Sequence, residues 1–212
     1  MTSPDLSLGR YSRGVLRRIH RAALVLALLL VGTSASAEPM LFENLLQPGG
    51  ALAGFETGNA FKQNGLTMVE RVPAGESVHD WSEMATTQIF HGSPMTLEQY
   101  FGDMRRSWTL ACPGTEVYAI RDGEENGYPF AVWQFSCPLN PATGKPENTW
   151  IKGIRGNDAL YAVQWAFRRE PTEADVMRAV KHLKEAVICD SRIERSACPR
   201  VIDTPEESVG DD

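Results

Sequence analysis

Beyond residue 37, a single grouping invites acid/base or metal chemistry: His79-Asp80 and, eleven residues further on, His91. Two imidazoles and a carboxylate can hold zinc or a related ion, and an imidazole beside a carboxylate can act as a general base. The spacing matches no mechanistic motif, and on a strand His79 and Asp80 would face opposite ways. Surface or loop positions explain them better, so no catalytic residue, metal or cofactor is assigned. G-x-S-x-G, H-E-x-x-H, a Walker loop and a dinucleotide glycine pattern are all missing from the sequence.

The cysteines are the second set with chemical potential: Cys112, Cys137, Cys189 and Cys198. In an oxidising compartment an even set reads first as disulfides, with three connectivities open. Cys112 with Cys137 and Cys189 with Cys198 is favoured, because the first pair flanks one hairpin and the second closes a short loop behind a long helix. A zinc site fits poorly: there is no C-x-x-C, and three of the four cysteines precede proline. Asp122, Glu124 and Glu125 around Gly123 lack the alternating ligand order of an EF-hand loop and read as a solvated hairpin tip. Arg105-Arg106 and Arg168-Arg169 lack the interleaved aromatics of a strand-binding groove.

Arg10, Arg13, Arg17, Arg18 and Arg21 precede an apolar run, Ala22 to Val31, and the small residues up to Ala35-Ser36-Ala37. That order predicts a secretory leader over 1–37, cleaved before Glu38. The run is shorter than the roughly 20 residues a spanning helix needs, so no stable membrane span is expected after cleavage. The leader holds five of the 21 Lys+Arg and one of the 27 Asp+Glu, leaving 16 against 26, a formal charge of −10. Such a balance argues against nucleic acid as a partner. The chain is thus expected to be exported, to the periplasm or beyond.

The elements that must position these residues follow from periodicity. Residues 38–58 carry too many Gly and Pro for a long element and read as an irregular lead-in with a turn of helix at Leu41–Leu46. Residues 59–199 read as one α+β domain, and 200–212 as a disordered acidic tail. Asn64-Gly65 marks a hairpin between Asn59–Gln63 and Leu66–Val72, where Leu66, Met68 and Val72 share a face and Glu70 is the exception. Trp81–Phe90 reads as a strand. Thr96 with Gln99 starts an amphipathic helix striped by Leu97, Tyr100, Phe101, Met104 and Trp108. Glu116–Ile120 and Tyr128–Cys137 pair around a polar loop, Arg121–Gly127, and Pro138–Glu147 forms a second loop. Asn148–Arg155 and Leu160–Arg168 form a hairpin whose turn at Gly156-Asn157-Asp158 accommodates a positive φ. Tyr161, Val163, Trp165 and Phe167 line one face of its second strand. Thr172 and Asp175 start the second helix, with Val176, Val180, Leu183 and Val187 as its stripe.

These elements define an α+β fold: a mainly antiparallel sheet with two long amphipathic helices packed on it, as in an α/β/α sandwich. The element order over Gly58–Cys189, together with the segment from Trp81 to Phe90, resembles the PsbP-like fold, an antiparallel sheet between helices. That resemblance implies a non-enzymatic accessory role in a luminal or periplasm-facing compartment, and no functional residue is carried across. Two function classes follow. The first is an exported non-catalytic accessory or binding protein that contacts an envelope or periplasmic protein through the sheet face or a groove beside Pro138–Glu147. The second is a small hydrolase or metal-dependent enzyme using His79, Asp80 and His91, which requires those side chains to converge. A small-molecule carrier with a pocket between sheet and helix is a third reading. Oligomeric state is not encoded in any motif.

Overall fold

The computed structural model describes residues 42–47 and 49–198. The leader, residues 1–37, and the acidic tail, residues 200–212, lie outside the described residues. Two Asn-Gly pairs set the hairpins. Asn64 and Gly65 take φ of 51° and 76°, and Asn126 and Gly127 take 51° and 80°. Such consecutive left-handed residues match the twist of a two-residue hairpin turn. The first joins β2 (Phe55–Gln63) to β3 (Leu66–Pro73), with β1 (Glu43–Leu46) lying ahead of them. The second joins β5 (Glu116–Glu125) to β6 (Tyr128–Asn140). The stretch Arg121–Gly127 is therefore mostly strand rather than loop. Likewise β7 (Lys145–Arg155) starts only five residues after β6 ends, which shrinks the expected Pro138–Glu147 loop to a tight turn.

Strand β4 (Glu83–His91) follows β3, and β8 (Ala159–Phe167) follows β7. The seven strands lie in the order β2-β3-β4-β8-β7-β6-β5, all antiparallel. Two meanders thus meet where β4 pairs with β8, and the alternating segment Leu160–Phe167 forms the middle of the sheet. Trp165, Phe167, Val163 and Leu160 have no exposed surface. Fully burying side chains of that size contributes about 1.5–3 kcal/mol each, which fixes this strand at the centre.

Helix α1 (Leu97–Ala111) begins with the reciprocal Thr96–Gln99 capping box, and α2 (Glu173–Glu185) with Thr172–Asp175. They lie on opposite faces of the sheet. On one, Phe101 stacks on Trp133 at 5.3 Å between ring centroids, and Trp108 packs on Phe135 at 5.5 Å. On the other, Ala179 and Leu183 join Val163, Trp165 and Phe167. The stripe of α2 differs from the expected one. Ala179, His182 and Leu183 are its inward residues, Val180 is 42% exposed, and Val187 belongs to the next element. Small Ala179 lets the helix sit close to the bulky Trp165 strand, which rotates Val180 toward solvent.

That next element is β9 (Val187–Asp190), which pairs with β1 in a separate two-stranded sheet. The turn of helix expected at Leu41–Leu46 is thus a strand from Glu43. Four residues with no pattern of their own adopt extended structure because β9 offers a hydrogen-bonding edge. The turn between β7 and β8 also departs from expectation: Gly156, Asn157 and Asp158 lack positive φ. The turn is held instead by the buried Glu43 carboxylate, which accepts from the backbone N–H of Asn157 at 2.7 Å and of Asp158 at 3.2 Å.

Candidate functional site

His79 and Asp80 sit in the exposed bend before β4, and His91 is its last residue. Nine strand residues separate the two ends by about 26 Å. Asp80 pairs with Lys145 at 3.2 Å, and the His91 ring lies 2.9 Å from the Thr67 hydroxyl. The three side chains therefore share no centre. Among the described residues no group of three or more His, Cys, Asp or Glu is placed to hold a metal ion. Asp122 and Glu124 face one side of β5, opposite Ala131 and Pro129, while Glu125 faces the other and meets Lys152. Arg106 pairs with Asp103 on the exposed side of α1, and the Arg168 guanidinium sits over the Trp81 ring, 4.0 Å from its centre. Disulfides join Cys112 to Cys137 and Cys189 to Cys198.

One cavity arises from how α1 is placed. The helix lies over β6 and β7 and touches the Gln88–Phe90 end of β4 through Tyr100, but it does not extend over the Met68–Glu70 part of β3 or the Met84–Thr86 part of β4. Between the helix edge and those strands lies a cleft of about 420 Å³. Register builds its floor: Met68 pairs across from Gln88, Glu70 from Thr86, Thr86 from Gln164 and Met84 from Ala166, so all project the same way. Met104 and Trp108 close the helix side, and Trp81 closes the end near Arg168. The Cys112–Cys137 bridge ties the C-terminal end of α1 to β6 beside this cleft.

The polar floor is a defined network. Gln88 Oε1 accepts from Gln164 Nε2 at 3.0 Å and from the Tyr100 hydroxyl at 3.2 Å, and Gln164 also donates to the Tyr100 oxygen. Burial raises the Tyr100 phenol well above its ordinary value, so it stays a neutral donor. Glu70 accepts from Asn59 Nδ2 at 2.8 Å through one oxygen and makes no ion pair among the described residues. Glu147, by contrast, is tied to Asn140 and faces Arg168 at 3.8 Å. The indole N–H of Trp81 is buried without an acceptor. The cleft thus joins thioether and indole walls to fixed amides and one accessible carboxylate.

The stripe Tyr100, Met104, Trp108 was readable from helical spacing. Glu70 was readable too, as a charge on an otherwise apolar strand face. Their meeting with Gln88 and Gln164 was not, because it depends on β4 pairing with β8 from distant parts of the chain.

No protein-family model matches the sequence, and no curated protein matches it at a significant level. Among solved structures, the chain is similar to a point mutant of the protein Mog1, at 12% identity over 66% of this chain and 84% of that one, with a TM-score of 0.37. It is similar also to the Ran-binding protein Mog1p of Saccharomyces cerevisiae, at 11% identity over 67% and 84%, again with a TM-score of 0.37. At that level of superposition no statement about function follows, and no sequence family stands behind the PsbP-like resemblance. The class is set by the strands and helices themselves: α+β, a seven-stranded antiparallel sheet between two helices.

Proposed function

We propose that the chain is an exported, non-catalytic binding protein whose α1 cleft seats an apolar side chain of a partner protein, with a Lys or Arg of that partner on Glu70. The carrying observation is the wall of the cleft, where Met68, Met84 and Met104 stand with Trp81 and Trp108 around an accessible carboxylate. Methionine fits irregular apolar shapes, and indoles supply large contact area with a polar edge. Two disulfides suit an oxidising compartment, to which a leader at 1–37 would deliver the chain. The separation of His79 and Asp80 from His91 favours binding over the hydrolase reading. The volume of the cleft also suits a small-molecule carrier, the second reading.

Panning a peptide library on the oxidised protein tests the proposal. Enriched peptides should place Leu, Phe or Trp beside Lys or Arg, and should be lost by Met68→Asp and Glu70→Lys but kept by His79→Ala with His91→Ala. Peptides bound equally by the Met68 and Glu70 variants would remove the cleft as the seat. Binding of free apolar amines but no peptide would favour the carrier.

A further inference from the structure

A second site lies on the opposite face of the sheet, between β5–β7 and the end of α2. Lys152, on β7, is 1% exposed. Its ammonium donates to Glu125 Oε2 at 2.5 Å and to the Ala186 carbonyl at 2.8 Å, and lies 5.0 Å from the centre of the Phe130 ring. One of its three N–H donors has no acceptor among the described residues. Beside it is a cavity of about 170 Å³ walled by Phe130, Val132, Trp150 and Leu183. Exposed Ile120 and Val180 form part of its lining.

The charge around this cavity is one-sided. Arg121 and Lys184 line it with Lys152, against the single carboxylate of Glu125, and neither makes an ion pair among the described residues. Arg121 reaches this face through a bulge. Val117 and Ala119 pair with Phe135 and Trp133 of the α1 face, but after a register shift at Ile120, Arg121 pairs with Val132 and Glu125 with Tyr128. An unbroken strand would have sent Arg121 to the other side; such bulges re-aim side chains. Gly123 completes the arrangement, since a Cβ there would lie 3.3 Å from the Phe130 ring.

We infer that this pocket binds a small aromatic monocarboxylate, ring among Phe130, Trp150 and Leu183, carboxylate on Arg121, Lys184 and the remaining Lys152 donor. Size supports the ring: a dry apolar cavity of about 150 Å³ is enough for benzene. Charge supports the anion, because Glu125 neutralises one of three cations and leaves two for the ligand.

The test is an NMR titration of the natively produced, oxidised protein with phenylacetate, and with phenylacetamide as the neutral control. Saturable binding with shifts at Phe130, Val132, Lys152 and Leu183 is expected, with the amide about tenfold weaker. Arg121→Gln with Lys184→Gln, both at exposed positions, should weaken phenylacetate about tenfold or more. Val180→Trp, which plugs the opening from an exposed helix position, should abolish binding without moving the thermal midpoint. Equal affinity for the amide, no saturation, or binding unchanged in the charge variant would overturn the assignment. Loss of peptide binding at the α1 cleft would leave it untouched, since the sites lie on opposite faces.

Discussion

The Glu43 carboxylate occupies the space that a side chain at residue 156 would need: a Cβ on Gly156 would collide with both of its oxygens. Glu43 is 6% exposed, and it holds the β7–β8 turn by accepting from Asn157 and Asp158. One short N-terminal strand is thereby locked to the central hairpin of the fold. Gly156→Ala should cost about 1–3 kcal/mol, as overpacking against a fixed buried group does. Because the clash is with Glu43 itself, the penalty should shrink sharply in a Glu43→Ala background. Urea unfolding of the four proteins of that double-mutant cycle measures the coupling; additive effects would contradict it.

The two disulfides should contribute unequally. Cys112–Cys137 spans 25 residues and Cys189–Cys198 spans nine. Restriction of the unfolded chain then gives about 3.5 and 2.6 kcal/mol respectively. Paired Cys→Ala variants compared by denaturant midpoint check the order. The first pair should also loosen the end of α1, seen as faster amide exchange from Trp108 to Cys112 and weaker peptide binding in the cleft.

Acidification should weaken the fold in two separate steps. His182 is 1% exposed, packs edge-on to Trp165 at 5.1 Å, and has an Nδ1 without a partner. Burial lowers its pKa from the ordinary 6.5, opposed by Glu185 and aided by Arg71. The unfolded chain therefore binds the proton first, and stability falls as pH drops below about 6.5. His182→Leu should flatten the stability curve just below about pH 6.5. The second step comes from Asp175, held well below the usual carboxylate range chiefly by the Arg169 hydrogen bond. Its contribution is complete above the unfolded value of 3.8 and is lost as pH falls below it. A single transition unaffected by His182→Leu would contradict this reading.

Glu83 should matter more than any surface ion pair. It is 8% exposed and accepts from Arg169 at 2.5 Å and Arg178 at 2.7 Å, linking β4 to the start of α2. Glu83→Ala leaves two arginines partly unpaired, and because both are more than a third exposed the cost should be about 2–3 kcal/mol, below the roughly 3–5 kcal/mol of a fully buried pair. Removing the exposed Arg106–Asp103 pair should leave the thermal midpoint in place. Thermal melts of the two variants make the comparison.

By itself the sequence determined what local rules control. Alternation set the Leu160–Phe167 strand, Asn64-Gly65 set a turn, Thr96 and Thr172 set two helix starts, and the class follows from their order. Hairpin, helix start and stripe are decided by residues within a few positions of one another, so they can be read along the chain. Tertiary structure alone decided the rest. The β1–β9 pairing joins residues about 145 positions apart, and the strand at Glu43–Leu46 exists because that partner is present. The meeting of β4 with β8 brought Met68 and Gln88 beside Gln164, and a one-residue bulge turned Arg121 toward Lys152. Both sites are products of register, in which a shift of one residue exchanges the faces of a strand, and no local pattern encodes that choice.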